Sequence, residues 1–567
     1  MHDLVVRGGT VFDGTGAEGI LADVAIDGER ITAVGRDVGL ARRELDARGA
    51  IVTPGFVDMH THYDAQTTWD PYLTPSSWHG CTTVIMGNCG VGFAPARPDR
   101  HDYLIGLMEG VEDIPGAAMV EGIKWGWETF PEFLDVIERM PRALDLGAQV
   151  PHCPLRAYVM DERAAEPIAT DEEIARMAAL VEEGLRAGAL GFSTSRTSIH
   201  RTKDGDLVPG TYADPKELLA IGDAMKRAGH GVYQNVIEHT DVVKQFSWMR
   251  ELAARGLRVI VSLNQPDWAP ELWRQVLTEL DRAAAEGLDL SAQSAGRSIG
   301  VLMAWELTAH PFATFPTFVA LGTLSAAERL AALRTPEVKA RLLAEQPGDA
   351  GPFGNFVTRT FAKMYPQGAR IDYEPHPSSA LQAQAAATGR PLLELAYEAL
   401  MADDGRGFIY FPLFNYAYGD LSLTHAVHQH PQVRMGLSDA GAHCGAICDG
   451  GMPTFMLTHW TRDRTRGERL PLPHVIRRQT RDTAHYYGLT DRGVLAPGYR
   501  ADVNIIDYDR LDSRRPEVAY DLPAGGRRLI QRATGYQATL VRGIPILLDD
   551  EHTGALPGRL LRGPQRR

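Results

Sequence analysis

Short apolar runs broken by turn residues open the chain. Leu4-Val5-Val6-Arg7 leads into Gly8-Gly9, and Thr10-Val11-Phe12 stops at Asp13-Gly14. Asp23-Val24-Ala25-Ile26 meets a hairpin signal at Asp27-Gly28, and Arg30-Ile31-Thr32-Ala33-Val34 returns. This pattern predicts short strands joined by tight turns, Gly8-Gly9 among them. The same texture comes back at 500–507, 538–542 and 544–547. The two ends are therefore expected to share one small β-sandwich domain, 1–53 with 490–567, discontinuous in sequence.

Between the ends, apolar strands alternate with amphipathic helices, as in repeated βα units. The candidate strands are 51–57, 82–86, 146–151, 190–193, 231–236, 258–263, 288–293 and 433–438. Candidate helices include Asp171–Ala187, which opens on Thr170 with Glu173 three residues on as a capping box, Pro215–Ala228, and 269–286. Eight strand candidates in this rhythm predict an α/β fold, a (β/α)8 TIM barrel over 54–489, with chemistry at the C-terminal ends of its strands. The stretch at about 295–430 is too long for a loop. It is expected to be a helical insertion serving as a lid or an oligomer contact, and a homo-oligomer is expected.

Composition narrows the class. The 567 residues are 44% hydrophobic and 23% charged, values of a soluble globular protein of more than one domain. A net charge of −14 argues against nucleic acid or an anionic membrane as the main partner. No apolar run approaches the ~20 residues of a membrane span. The opening Met1-His2-Asp3 lacks the basic then apolar segment of a signal peptide, so the expectation is a cytoplasmic protein. Five cysteines with no CxxC do not make a disulfide scaffold.

The strand candidate 51–57 closes on Asp58-Met59-His60-Thr61-His62. Two histidines two positions apart on an extended strand point the same way. Neutral imidazoles presented together suit a borderline metal such as zinc. Asp439 ends 433–438, the last barrel strand, which closure makes a neighbour of the first. A carboxylate there can bind metal and take a proton from water, and a helix N-cap turn is the alternative reading of Ser438-Asp439-Ala440-Gly441. Cys89, in Gly87-Asn88-Cys89-Gly90, is equally readable as a thiolate ligand or an inert buried thiol.

These residues carry a resemblance. The chain resembles the amidohydrolase superfamily, in its D-aminoacylase (N-acyl-D-amino-acid deacylase) branch. The matching pieces are Gly8-Gly9-Thr10-Val11-Phe12-Asp13-Gly14, Pro54-Gly55-Phe56-Val57-Asp58-Met59-His60-Thr61-His62, and Gly87-Asn88-Cys89-Gly90 with Ala94-Pro95. Gly191-Phe192-Ser193-Thr194, Ser438-Asp439-Ala440-Gly441-Ala442-His443, the run 493–502 and the closing 553–559 follow in the same order. The resemblance implies a β-sandwich with a metal-bearing barrel, His60 and His62 on one metal, Cys89 on a neighbouring site, and Asp439 as the proton-shuttling base.

Departures from the branch bear on its chemistry. The resemblance implies one further histidine on the fifth strand and one on the sixth, where this chain aligns Val236 and Leu263. An aliphatic side chain cannot bind zinc, so Glu238 or His239 after a register shift, or Asn264 through its oxygen, are the candidate substitutes. The segment 190–196 holds no lysine for a carbamylated bridge. Relatives acting on N-acyl-D-amino acids carry an arginine after the eighth strand to grip the α-carboxylate, and 444–454 has none. Arg196, Arg201 and Arg297 are candidate replacements, each also readable as a solvated arginine. Trp78, Trp125, Trp127 and Trp268 are pocket-wall or core residues. His200 and His443 are candidates to orient substrate or to donate to a developing oxyanion, with an ordinary loop histidine as the other reading.

The sequence therefore points to a zinc-dependent hydrolase of a small-molecule amide, N-acyl-amino-acid amidohydrolase-like, with one firm metal site and a second left open. The same scaffold could cleave a cyclic amide, a carbamate or an ester. A scaffold protein that has lost its metal is the non-enzymatic alternative, disfavoured because it has no use for His60, His62 and Asp439. N-acyl-D-amino acids are expected to be poorer substrates than neutral amides.

Overall fold

The computed structural model describes residues 1–238 and 240–567. Strands from both ends of the chain join one nine-stranded sheet. Ile51–Pro54 pairs in parallel with the first strand, His2–Val11, and antiparallel with Val503–Ile506, where Thr53 faces Asn504. Leu4, Val6, Val24, Ile26, Val52, Val503, Ile505 and Leu540 form the core of this sheet. The Asp27-Gly28 hairpin forms between Ile20–Asp27 and Arg30–Gly35. Gly8-Gly9, expected as a turn, instead lies inside the strand His2–Val11, at a shift of register between Val6 and Gly9. Gly8 takes φ +67 there and its N–H donates to Asp23 (2.8 Å), so glycine absorbs the bulge and lets the strand run on.

Eight further strands neighbour one another in parallel and in chain order. They are β1 (Phe56–Asp58), β2 (Cys81–Met86), β3 (Asp145–Ala148, continued by Val150–Pro151), β4 (Gly191–Ser195), β5 (Val232–Val236), β6 (Arg258–Ser262), β7 (Leu290–Ser294) and β8 (Val433–Met435). The first half of β3 pairs with β2 and the second with β4, across the single residue Gln149. Beyond β8 the chain returns to β1: Thr61 bridges Ala440, Asp439 N–H donates to the His60 carbonyl (3.2 Å), and His62 N–H donates to the Ala440 carbonyl (2.8 Å).

The expected first strand, 51–57, is divided. Ile51–Pro54 belongs to the terminal sheet and Phe56–Asp58 to the parallel set, with Gly55 between them. A Cβ at Gly55 would stand 2.2 Å from Thr82, so only glycine lets the chain pass from one sheet to the other against β2.

Val57, Ile85, Val232 and Ile260 pack together beneath the strand ends. Their neighbours β5 and β6 alternate, so Gln234 and Val236 share the face of Val232, and Ser262 shares that of Ile260. The helix Asp171–Ala187 buries Ile174, Met177, Val181 and Leu185, starts at the Thr170–Glu173 capping box, and ends at Gly188. Pro215–Ala228 likewise keeps the expected bounds, capped by Asp214 and stopped by Gly229 at φ +83. Residues 295–430 contain helices such as Ala326–Leu333, Pro336–Ala344 and Leu392–Gly405. They also form a small antiparallel sheet of Gly300–Met303, Tyr365–Pro366 and Ile409–Pro412, which the sequence pattern does not reveal. Among the described residues no helix is long and apolar enough to cross a membrane.

Candidate metal centre

The site grows from the turn that follows β1. Asp58, buried at the end of that strand, accepts the His60 N–H (3.1 Å) and the Ser438 hydroxyl. Burial pushes its carboxyl up to about 6, and the bonds from Ser438 and His60 oppose that rise. The Thr61 hydroxyl donates to the Ile85 carbonyl (2.9 Å), and the Asn88 amide donates to the Thr61 and Ile85 carbonyls (3.1 and 2.9 Å). These bonds orient His60 and His62 inward, both fully buried. From the other side the loop after β8 passes so closely that a Cβ at Gly441, which sits at φ +97, would lie 2.7 Å from the His62 carbonyl oxygen.

Cys89 is held in the left-handed region at φ +55 by groups inside the strand ring. Its N–H donates to the Gln234 side-chain oxygen on β5 (3.1 Å), and the Gly90 N–H donates to the Ser193 hydroxyl on β4 (2.9 Å). This clamp aims the thiol at the histidines.

His60, His62 and Cys89 each offer a ligand atom within 4.8 Å of the others. His60 Nε2 lies 3.2 Å from Cys89 Sγ and 3.2 Å from Asp439 Oδ1, and His62 Nε2 lies 3.6 Å from Asp439 Oδ1. Asp439 Oδ1 is buried and makes no aligned hydrogen bond among the described residues, although two imidazoles face it. His60 Nε2 and Cys89 Sγ are hydrogen-bonded, but an unpartnered carboxylate oxygen facing them and His62 Nε2 fits a shared cation. Burial resists charge on His60, yet Cys89 and Asp439 raise it to about 10. His62 is raised in the same way against burial, chiefly by Glu112 and Asp439, and the two imidazoles hold Asp439 well below the carboxylate range despite its burial. The cluster thus favours positive charge at its centre. Two imidazoles, a thiol and a carboxylate make a donor set that fits zinc.

The remaining candidates are placed unequally. Glu238 accepts the Ser198 N–H (2.7 Å) and its main chain is tied to Gln245 (2.9 Å), so it serves the loop after β5. His239 lies outside the described residues. Val236 follows Gln234 on the same face, toward Cys89. Strand β6 ends at Ser262, and Leu263 just beyond it is buried in the same core as Cys89 and Val236. Asn264 Oδ1 is buried without a hydrogen-bond partner among the described residues.

His200 meets the Ser195 hydroxyl through Nδ1 (3.0 Å), and burial lowers its pKa to about 4. His443, at φ +51 with its side chain 24% exposed, stands 3.5 Å from a Glu112 carboxylate oxygen. Glu112 was not singled out from the sequence. It sits on a helix between β2 and β3, and only the fold brings it to the histidines.

The arginine candidates are committed to the protein itself. Arg196 donates to the Ala213 carbonyl (2.6 Å), and exposed Arg201 donates to the Gly205 carbonyl (2.6 Å). Arg297 is buried against Asp449 (3.0 Å) and beneath the Tyr373 ring. Trp78 and Trp127 are buried in the core, Trp125 stacks on His101, and Trp268 is exposed.

The amidohydrolase family model matches residues 43–546. The chain is 28% identical to the D-aminoacylase of Alcaligenes xylosoxydans xylosoxydans, over 99% of this chain and 97% of that one. It is 27% identical to the N-acyl-D-aspartate deacylase of the same organism, over 99% and 95%. Its fold is similar to that of the N-acyl-D-glutamate deacylase from Bordetella bronchiseptica complexed with zinc and a phosphonate inhibitor. That match has a TM-score of 0.64 at 22% identity, covering 99% of this chain and all of that one.

Proposed function

The chain belongs to the amidohydrolase family, in its D-aminoacylase-like branch, and is a hydrolase of carbon–nitrogen bonds; from that premise we propose a zinc-dependent amidase with one metal site and Asp439 as its base. The parallel strands β1–β8 are read as one (β/α)8 barrel over 54–489. The strands of 1–53 and 490–567 are read as a second, discontinuous β-sandwich domain. His60, His62 and Cys89 would hold the ion, with Asp439 beside it. A zinc ion bound there supplies Lewis-acid polarisation of the amide carbonyl and a lowered pKa for water.

The protein's own groups carry the rest. Asp439 is held as a carboxylate by two imidazoles, with Oδ1 free of aligned hydrogen bonds. It takes the proton of the attacking water and returns it to the departing nitrogen. His443, partly exposed after β8, donates toward the developing oxyanion. The buried strand ends exclude bulk water, which strengthens each of these interactions.

The substrate is best read as an amide without a free carboxylate beside the scissile bond. The relatives named above act on N-acyl-D-amino acids, but here Arg196, Arg201 and Arg297 are each spent on internal partners. Meanwhile the carboxylates Glu112, Asp113, Asp439 and Asp449 gather around the histidines.

The observation that carries this reading is the convergence of His60, His62 and Cys89 with Asp439 Oδ1. Its test pairs metal analysis with the isosteric Asp439→Asn. Zinc should stay bound while turnover of a neutral amide falls about 10³-fold. A wild-type protein that takes up no zinc would refute the reading, and faster hydrolysis of N-acetyl-D-methionine than of its neutral amide analogue would refute the substrate preference.

A further inference from the structure

Glu112 ends the helix His101–Glu112 with its side chain buried. A helix C-terminus carries partial negative charge, so a buried carboxylate there is unfavourable unless a positive or proton-donating group faces it. Asp113 follows in the left-handed region at φ +50 and adds a second carboxylate, which accepts from Gly445 N–H and the Thr308 hydroxyl (both 3.1 Å). Two imidazoles face Glu112. His62 Nδ1 stands 3.5 Å from Oε1, and His443 Nε2 stands 3.5 Å from Oε2. The main chain fixes the second of these, because the His443 N–H donates to the Glu112 carbonyl. The two nitrogens of His62 therefore face different partners, Nε2 toward Asp439 and Nδ1 toward Glu112.

We propose that Glu112 is a positioning residue that orients the metal-facing ring of His62 through its outer nitrogen and, with its other oxygen, holds His443 over the same site. His62 Nδ1 makes no aligned hydrogen bond among the described residues, so Glu112 acts through its charge at 3.5 Å: it favours a proton on Nδ1, which leaves Nε2 as the donor to an ion. One carboxylate so joins the turn after β1 to the loop after β8.

The inference rests on His60, His62 and Cys89 being a zinc site, and the experiment separates the two claims. Zinc affinity is measured by competition with a chelator on the wild type, Glu112→Gln, Glu112→Asp and His443→Asn, alongside the melting midpoint of each zinc-free protein. Glu112→Gln keeps the shape and loses the charge, and is expected to weaken zinc binding about 10- to 100-fold. Glu112→Asp, one methylene shorter, should fall between it and the wild type. His443→Asn should bind zinc as the wild type does while turning over more slowly. A Glu112→Gln protein that melts lower yet binds zinc as tightly as the wild type would overturn the inference and leave the metal site standing. If Glu112→Gln does not fold, Glu112→Asp decides alone: weaker zinc binding supports the inference and unchanged binding overturns it. Absence of zinc from the wild type would overturn both.

Discussion

Two sides of one ring of strands are built for different work. At β1, β2 and β8 the strand ends are crowded with ligand-type atoms: His60 and His62, Cys89, and Asp439. His60, His62 and Asp439 are tied by bonds between the turns after β1 and β8, and Cys89 by a bond from its N–H to the Gln234 side chain. At the ends of β5 and β6 stand Gln234, Val236, Ser262, Leu263 and Asn264, of which Gln234 reaches the loop that bears Cys89. The first side can grip a cation, and the second can only support the loop that grips it. The difference teaches that an ion here would be held from one flank, leaving the opposite wall to substrate.

Breaking the gripping side should have the larger effect. Cys89→Ser replaces a thiolate with a hydroxyl that zinc binds poorly, and a loss of about 100-fold in zinc affinity is expected in chelator competition. Wild-type affinity in that variant would mean that the ion is held without the thiol. The opposite wall can then be sharpened. A Val236→His, Leu263→His double variant should raise bound zinc from one toward two per chain by metal analysis. Zinc that stays at one per chain would mean that these positions do not reach the site.

The smallest effect separates stability from chemistry. Glu374, in the 295–430 stretch, pairs with Arg464 (3.0 Å) and His459 (2.9 Å), far in sequence from the ligands. Burial resists its charge, but His459 and Arg464 lower its pKa to about 2, from 4.5. The folded state binds this proton less readily than the unfolded chain. The pair's stabilisation is therefore complete above about pH 4.5 and is lost as the pH falls toward 2. Glu374→Gln should melt lower than the wild type at pH 7, with the gap closing across that window and the zinc content unchanged. A gap that stayed constant with pH would mean the ion pair is not its source.

How much could be read from the chain follows from how local each signal is. The bounds of Asp171–Ala187 and Pro215–Ala228 were legible because capping residues and terminal glycines act within one turn. The pairing of His60 with His62 was legible because strand alternation is local. Its closeness to Asp439 was legible only through ring closure. The division of 51–57 at Gly55 was not legible, since it depends on Thr82 and Asn504, which reach that segment only in the folded protein. The resemblance places Leu263 and Val236 where histidine ligands would stand, and both are buried in the folded chain. Glu112 gave no signal, because a glutamate at the end of a helix looks like any solvated charge until two imidazoles are brought against it.

The single-residue passage at Gly55 also orders events during synthesis. The segment feeding the histidine pair lies beside Val503–Ile506, which is made only after all eight parallel strands. A growing chain can fold its middle βα units early, but the flanking support of His60 and His62 arrives last. The support of the histidine pair is thus completed only after the eight parallel strands have been made, and chains cut short before Val503 should be aggregation-prone fragments.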